Sequence, residues 1–270
     1  VYLGEKPYGV SPSRVNQIET CPRQYQYSTI ERLPEGKKMA TYRGTVFHEV
    51  LETMFNRTEA EPELRTLDYT LELMRELFPT LVSKEIAAEM ELDEVGVQSF
   101  ARDLAKYIRT YFTMENPAEI RSEGIEIKMD VQMGDEDNSW ILRGILDRLD
   151  RAENGDLIIV DYKTGKVPTD KYKASAILPA KIYAYLTEKF IGERPTKIRL
   201  LYVQFGKTLE IDVTDEDVAY AEKRVREAWA KIEKWFEQGY FPPQANNLCA
   251  KWCAFRDICP LFSSIPDDPF

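Results

Sequence analysis

Histidine occurs once in this chain, at position 48, and cysteine only four times, at positions 21, 249, 253 and 259. A single imidazole leaves one candidate for any histidine-dependent chemistry. So few thiols among 270 residues exclude a disulfide-stapled scaffold. No apolar run approaches the ~20 residues that a membrane span requires, and the opening VYLGEKPYGV lacks the basic stretch and apolar segment of a secretory signal. These absences predict a cytoplasmic protein that makes no membrane contact. Its thiols are then reduced, and four of them are more readily metal ligands than disulfide partners.

A hydrophobic content of 43% is enough for one sizeable core, or one core with an appended lobe. The net charge of −10 argues at first against a nucleic-acid partner, but its distribution reverses that conclusion. From Glu59 to Glu94 there are eleven acids and three bases, whereas Lys163 to Lys207 holds ten bases and three acids, and Glu5 to Arg43 seven bases and four acids. The acidic excess is local, and the remaining stretches carry the positive footprint expected for a phosphate backbone ligand. Solubilising lysines on exposed faces are the ordinary alternative.

The segment SPSRVNQIETCPRQYQY begins as a helix, with Ser11 or Ser13 as cap and Pro12 in the first turn, and Pro22 interrupts it just after Cys21. A polar loop with Gly36, Lys37 and Lys38 precedes a second helix from about Thr45 to Phe55, whose stripe is Val46, Val50 and Met54. The acidic stretch reads as helix broken at Pro62 and Pro79, leading into an amphipathic helix near Gln98 to Met114. Strand signals follow in GIEIKMDVQM, WILRGILDRLD and DLIIVDYK, then a helix around Ala174 to Phe190, strands KIRLLYVQF and TLEIDV, and a helix from Asp215 to Gln238 capped by Thr214 and Asp217. This order gives an α/β fold with four parts: N-terminal helices (1–55), an acidic helical insert (56–116), a core sheet (117–214), and a C-terminal helix with the cysteine segment (215–270).

In DLIIVDYK the buried run Leu157 to Val160 delivers Asp161 and Lys163 to a strand end on one face. A three-residue loop Glu153-Asn154-Gly155 sets Asp147 of the preceding strand opposite Asp161, and Ile145 opposite Lys163. A two-residue Asn-Gly turn sets Asp147 opposite Tyr162, on the wrong face. Two carboxylates and a lysine suit phosphodiester hydrolysis: the acids hold a magnesium or manganese ion with positions open for water and phosphate, and Lys163 orients the attacking water. A surface salt bridge between Asp161 and Lys163 is the alternative. His48 lies four residues before Glu52, on the same helical face.

The ordered blocks SPSRVNQIETCPRQYQY, GTVFHEVLE, GILDRLD, DYKTG and CAKWCAFRDICP span nearly the whole chain. Together they resemble the RecB-type nucleases of the PD-(D/E)XK superfamily, in particular the stand-alone iron-sulfur branch that includes CRISPR-adaptation exonucleases and phage relatives. The resemblance implies a restriction-endonuclease-like mixed sheet flanked by helices. It implies Asp147, Asp161, Lys163 and His48 as catalytic residues, with His48, Asp147, Asp161 and the Tyr162 carbonyl at the metal. It also implies that Cys21, Cys249, Cys253 and Cys259 bind one structural [4Fe-4S] cluster in a lobe made from both termini. Zinc is the alternative occupant.

Two features depart from the family pattern. No Gln precedes Tyr183 or Tyr185 by four residues; Pro179 and Lys181 stand there, and Lys181 is a candidate phosphate contact. Three residues rather than two separate Cys249 from Cys253. Tyr25, Tyr27, Tyr42, Tyr183 and Tyr185 are candidates for base stacking, most of them expected in the core or at its boundary. The function expected is a metal-dependent DNA exonuclease preferring single-stranded ends, in recombination, repair or CRISPR adaptation, with protein partners or self-association. A non-catalytic DNA-binding or assembly module is the second reading, and an iron-sulfur redox enzyme, for which no Gly-rich nucleotide loop is present, a distant third.

Overall fold

The computed structural model describes residues 5–250 and 252–262, so the first four residues of the opening segment, Lys251 of the cysteine segment and the C-terminal tail lie outside it. A six-stranded mixed sheet organises the chain. Strand β1 (Gly9–Val10) leads into α1 (Pro12–Thr20), α2 (Pro22–Tyr25) and a π-helical turn over Gln26–Ile30. Helices α3 (Met39–Arg57), α4 (Leu67–Leu81), α5 (Lys84–Glu89) and α6 (Glu94–Met114) follow. Then come β2 (Ser122–Met133), β3 (Trp140–Arg151), β4 (Leu157–Lys163), α7 (Asp170–Ile191), β5 (Lys197–Tyr202), β6 (Lys207–Asp212) and α8 (Asp215–Glu237). The expected mixed sheet flanked by helices is the architecture observed.

The local signals act as their chemistry requires. Ser11 caps α1 with Pro12 in its first turn, and Thr214 with Asp217 forms a reciprocal capping box on α8. Three differences have physical causes. Helix α3 starts at Met39, six residues before the expected Thr45, because nothing in Met39 to Gly44 stops a helix. Pro79 sits inside α4 instead of breaking it, since the helix ends two residues later at Leu81 and one missing donor there costs little. Strand β1 has only two residues, too few for a periodicity signal.

The β3–β4 hairpin turns through Glu153, Asn154 and left-handed Gly155 (φ +93°), the three-residue loop. Its ladder runs from Arg151–Leu157 to Arg148–Val160. Strands β1 and β4 share one edge of β3, because β2 occupies the other along the whole strand: β1 meets Ile141 and Leu142, and β4 meets Arg148 to Arg151. The stretch between those pairings has no strand partner on that side.

Two cores sandwich the sheet, one beneath α1, α7 and α8 and one beneath α3, α4 and α6. The β2–β3 ribbon crosses from one to the other. Ile127 and its partner Leu146 pack in the first core, whereas Ile125 packs in the second and its partner Arg148 bonds Tyr111 and Tyr162 there. Strict alternation would keep residues two apart on one face. Glu126, at φ +48°, rotates the strand between them.

Arg148 has no exposed side-chain surface. Its guanidinium donates to Asp150 (2.8 and 2.9 Å), to Glu115 at the end of α6 (2.9 to 3.0 Å), to Tyr111 (3.1 Å) and to Tyr162 (2.7 Å). Removing one partner of a buried ion group strands the others without compensation, so Arg148→Met is expected to cost about 3–5 kcal/mol in urea unfolding. Breaking the exposed Arg151–Glu123 pair with Glu123→Ala is expected to cost less than about 1 kcal/mol in the same measurement.

Candidate active site at the carboxyl end of β4

Asp161 and Lys163 emerge on one face at the carboxyl end of β4, with Nζ 2.5 Å from Asp161 Oδ2. The ladder with β3 stops one pair short of Asp147, and the Asp147 side chain takes over: its Oδ2 accepts the Tyr162 N–H at 2.7 Å. The register is the one that brings the two carboxylates together. The further Ile145–Lys163 pair is not part of the ladder.

Helix α3 supplies His48. Its Nε2 lies 3.0 Å from the Tyr162 carbonyl oxygen, and its Nδ1 lies 3.5 Å from Asp147 Oδ1 and 4.0 Å from Glu126 Oε1. Gly44, one turn earlier, permits this approach, since a Cβ there would stand 2.8 Å from Thr164 Oγ1 just beyond β4. His48, Glu126 and Asp147 each offer a ligand atom within 4.8 Å of the others. Sequence reasoning missed Glu126. The clue was an acid interrupting the apolar pair Ile125 and Ile127, at the β2 position that falls opposite Asp147.

Charge is concentrated here. Burial alone would lower the His48 pKa, but its hydrogen bond and attraction to Asp147, with help from Asp161 and the Tyr162 carbonyl, raise it to about 9. Burial raises Asp161 to about 6, with Asp147 adding to the rise and Lys163 opposing it. Glu126 is raised to about 7 by burial and by Asp147. Asp147 itself is held below its usual value despite burial, because His48 bonds it. Of these groups, His48, Glu126 and Asp147 are placed so that they could hold a cation, with Asp161 and Lys163 beside them.

An open cavity of about 540 Å³ exposes this cluster, lined by His48, Glu126, Asp147 and Lys163 and also by Glu49 and Glu52 of α3. Tyr183 of α7 reaches the site's edge: its hydroxyl bonds the Ile145 backbone, and burial and the nearby Asp161 and Asp147 raise its pKa. Lys181 Nζ pairs with Asp217 of α8 at 2.5 Å. Tyr25, Tyr27 and Tyr185 are buried, and Tyr42 bonds the Leu81 carbonyl, so of the five tyrosines considered only Tyr183 stands at the site. The four cysteines line one small cavity between α2 and the C-terminal segment, far apart in sequence but neighbours in space.

His48, Glu126 and Asp161 all hold protons more tightly in the native state than in the unfolded chain. The linkage sign is therefore the same for all three: without metal, stability is lost as pH rises through about 6, 7 and 9 in turn. Thermal melts in chelator should show Tm falling across that window. Asp147→Asn, which removes the charge that raises all three, should flatten the slope, and added manganese should restore most Tm at the alkaline end.

A gene 69 protein of Mycobacterium phage L5 is 22% identical over 93% of this chain and 96% of its own length. Two crystal structures, of the protein SSO0001 and of a "Putative exonuclease" from Eubacterium rectale, superpose with TM-scores of 0.47 and 0.48 at 13% identity. The first covers 96% of this chain and 88% of its own, and the second 91% and 87%. The sequence model of the PD-(D/E)XK nuclease superfamily matches residues 9–260, from β1 through the last cysteine, and the chain is a member of that superfamily.

Proposed function

We propose that this nuclease is a magnesium- or manganese-dependent DNA exonuclease that prefers single-stranded ends. The observation that carries the reading is the convergence of His48, Glu126, Asp147 and Lys163 on one open cavity, with Asp161 paired to Lys163 beside it. His48, Asp147, Asp161 and the Tyr162 carbonyl would hold the cation, joined by Glu126. A hard divalent ion bound there would neutralise charge on the phosphate and make a water more acidic. Asp161 positions Lys163, whose ammonium orients the attacking water and offsets charge in the transition state.

Cys21, Cys249, Cys253 and Cys259 are assigned to a structural [4Fe-4S] cluster. The donor set fits in kind and number: all four are free thiols around one cavity, and four thiolates are the usual shell of such a cluster. The cluster would join residues 228 positions apart (249 − 21), tying the N-terminal helices to the C-terminal segment. We assign the protein to the cytoplasm and to recombination, repair or CRISPR adaptation, alongside the protein partners of those assemblies. A non-catalytic assembly module would retain the fold without needing both carboxylates and Lys163.

With manganese, end-labelled linear single strands should be degraded and a circular strand spared, and Asp161→Ala should reduce the rate at least about 100-fold. Tight DNA binding without metal-stimulated turnover would instead select the assembly module. Cys253→Ser should abolish the visible cluster absorbance of anaerobically purified protein and lower Tm. Zinc found in its place by metal analysis would refute the cluster.

A further inference from the structure

We propose that the cavity framed by β1, α1 and Arg143 binds a phosphate and a base of the substrate strand a few nucleotides from the scissile bond, an inference that rests on the nuclease reading above. Beyond the Glu126 kink, one face of the β2–β3 ribbon packs on the first core through Met129, Leu142 and Leu146, while the other is uncovered. Asp147, Ile145 and Arg143 alternate along that open face, and Ile145 is 46% exposed. Four residues of strand carry the path about 13 Å from the carboxylates to Arg143.

There it meets a cavity of about 670 Å³ whose lining includes Lys6, Tyr8, Arg14, Tyr25, Arg32 and Arg143. Among the described residues of the lining, the only acid is Glu5. Lys6 is paired with Glu233 and Arg143 with Asp130, but Arg14 bonds only the neutral Gln17 and Ser28, and Arg32 has no ion pair among the described residues. Arg32 also holds a left-handed backbone (φ +54°), a strained conformation for a non-glycine residue. Tyr8, 62% exposed and stacked on the Arg143 guanidinium, offers a ring face to a base.

An independent observation points to a ligand. Tyr25 is one of the residues lining this cavity; it has no exposed surface, and its hydroxyl has no hydrogen-bond partner among the described residues. Burial pushes its pKa up to about 12, so it remains a proton donor at working pH. A buried donor left unpaired is unfavourable, and a phosphate oxygen would relieve it.

Strand binding is measured by fluorescence anisotropy of a single-stranded oligonucleotide in chelator, with Tyr25→Phe, Arg32→Gln and Tyr8→Ala. Because the assay needs no cleavage, failure of the nuclease reading would leave it interpretable. Tyr25→Phe removes only an unpartnered oxygen, so its Tm should hold while affinity falls about three- to tenfold. Arg32→Gln should also reduce the salt slope by about 0.7. Equal losses for 5′-phosphorylated and 5′-hydroxyl strands would identify an internal phosphate, and losses confined to the former a terminal one. Unchanged strand affinity in both Tyr25→Phe and Arg32→Gln, with Tm preserved, would overturn the proposal.

Discussion

The guanidinium of Arg148 is sealed from solvent, so every one of its donors has to be answered by protein. Glu115, Asp150, Tyr111 and Tyr162 answer them, and in doing so fix the end of α6, the end of β3 and the ring of Tyr162 in one rigid arrangement. Tyr162 then transmits that rigidity to the opposite side of its own backbone. Its N–H holds Asp147 and its carbonyl holds His48. Asp147 and the imidazole of the candidate site are thus oriented by the backbone of a residue whose ring is anchored on the Arg148 charge and packs edge-on against His48.

A second constraint is the division of β3 between partners. With β1 on one half of its edge and β4 on the other, the middle of the strand is open just where Tyr183 reaches the Ile145 backbone and Asp147 turns to cap β4. Glu126 rotates β2 at the same level. A continuous, regular sheet would have used the backbone groups here in its ladder; the interruption leaves them to side chains instead.

Much of this was legible in the sequence. The run Leu157 to Val160 identified a buried strand, the Glu153-Asn154-Gly155 loop gave the register that joins Asp147 to Asp161, and Thr214 with Asp217 marked the start of α8. What escaped depended on tertiary context. Glu126 looked like an ordinary polar residue of an alternating strand, because a left-handed kink has no signature in a non-glycine residue. The pairing of Lys181, a candidate phosphate contact, with Asp217 came only with the packing of α7 on α8. Tyr8 and Arg143 lie 135 residues apart and could be joined only by the docking of β1.

That docking has a kinetic side. Strands β2, β3 and β4 form a contiguous unit that can zip through short loops, whereas Gly9 pairs with Ile141 across 132 residues (141 − 9). During synthesis β1 emerges long before its template. A long unpaired strand in that interval would invite pairing with other chains, but a two-residue one offers almost nothing to pair with. The brevity of β1 is therefore a safeguard for the nascent protein as well as a minimal closure of the finished one.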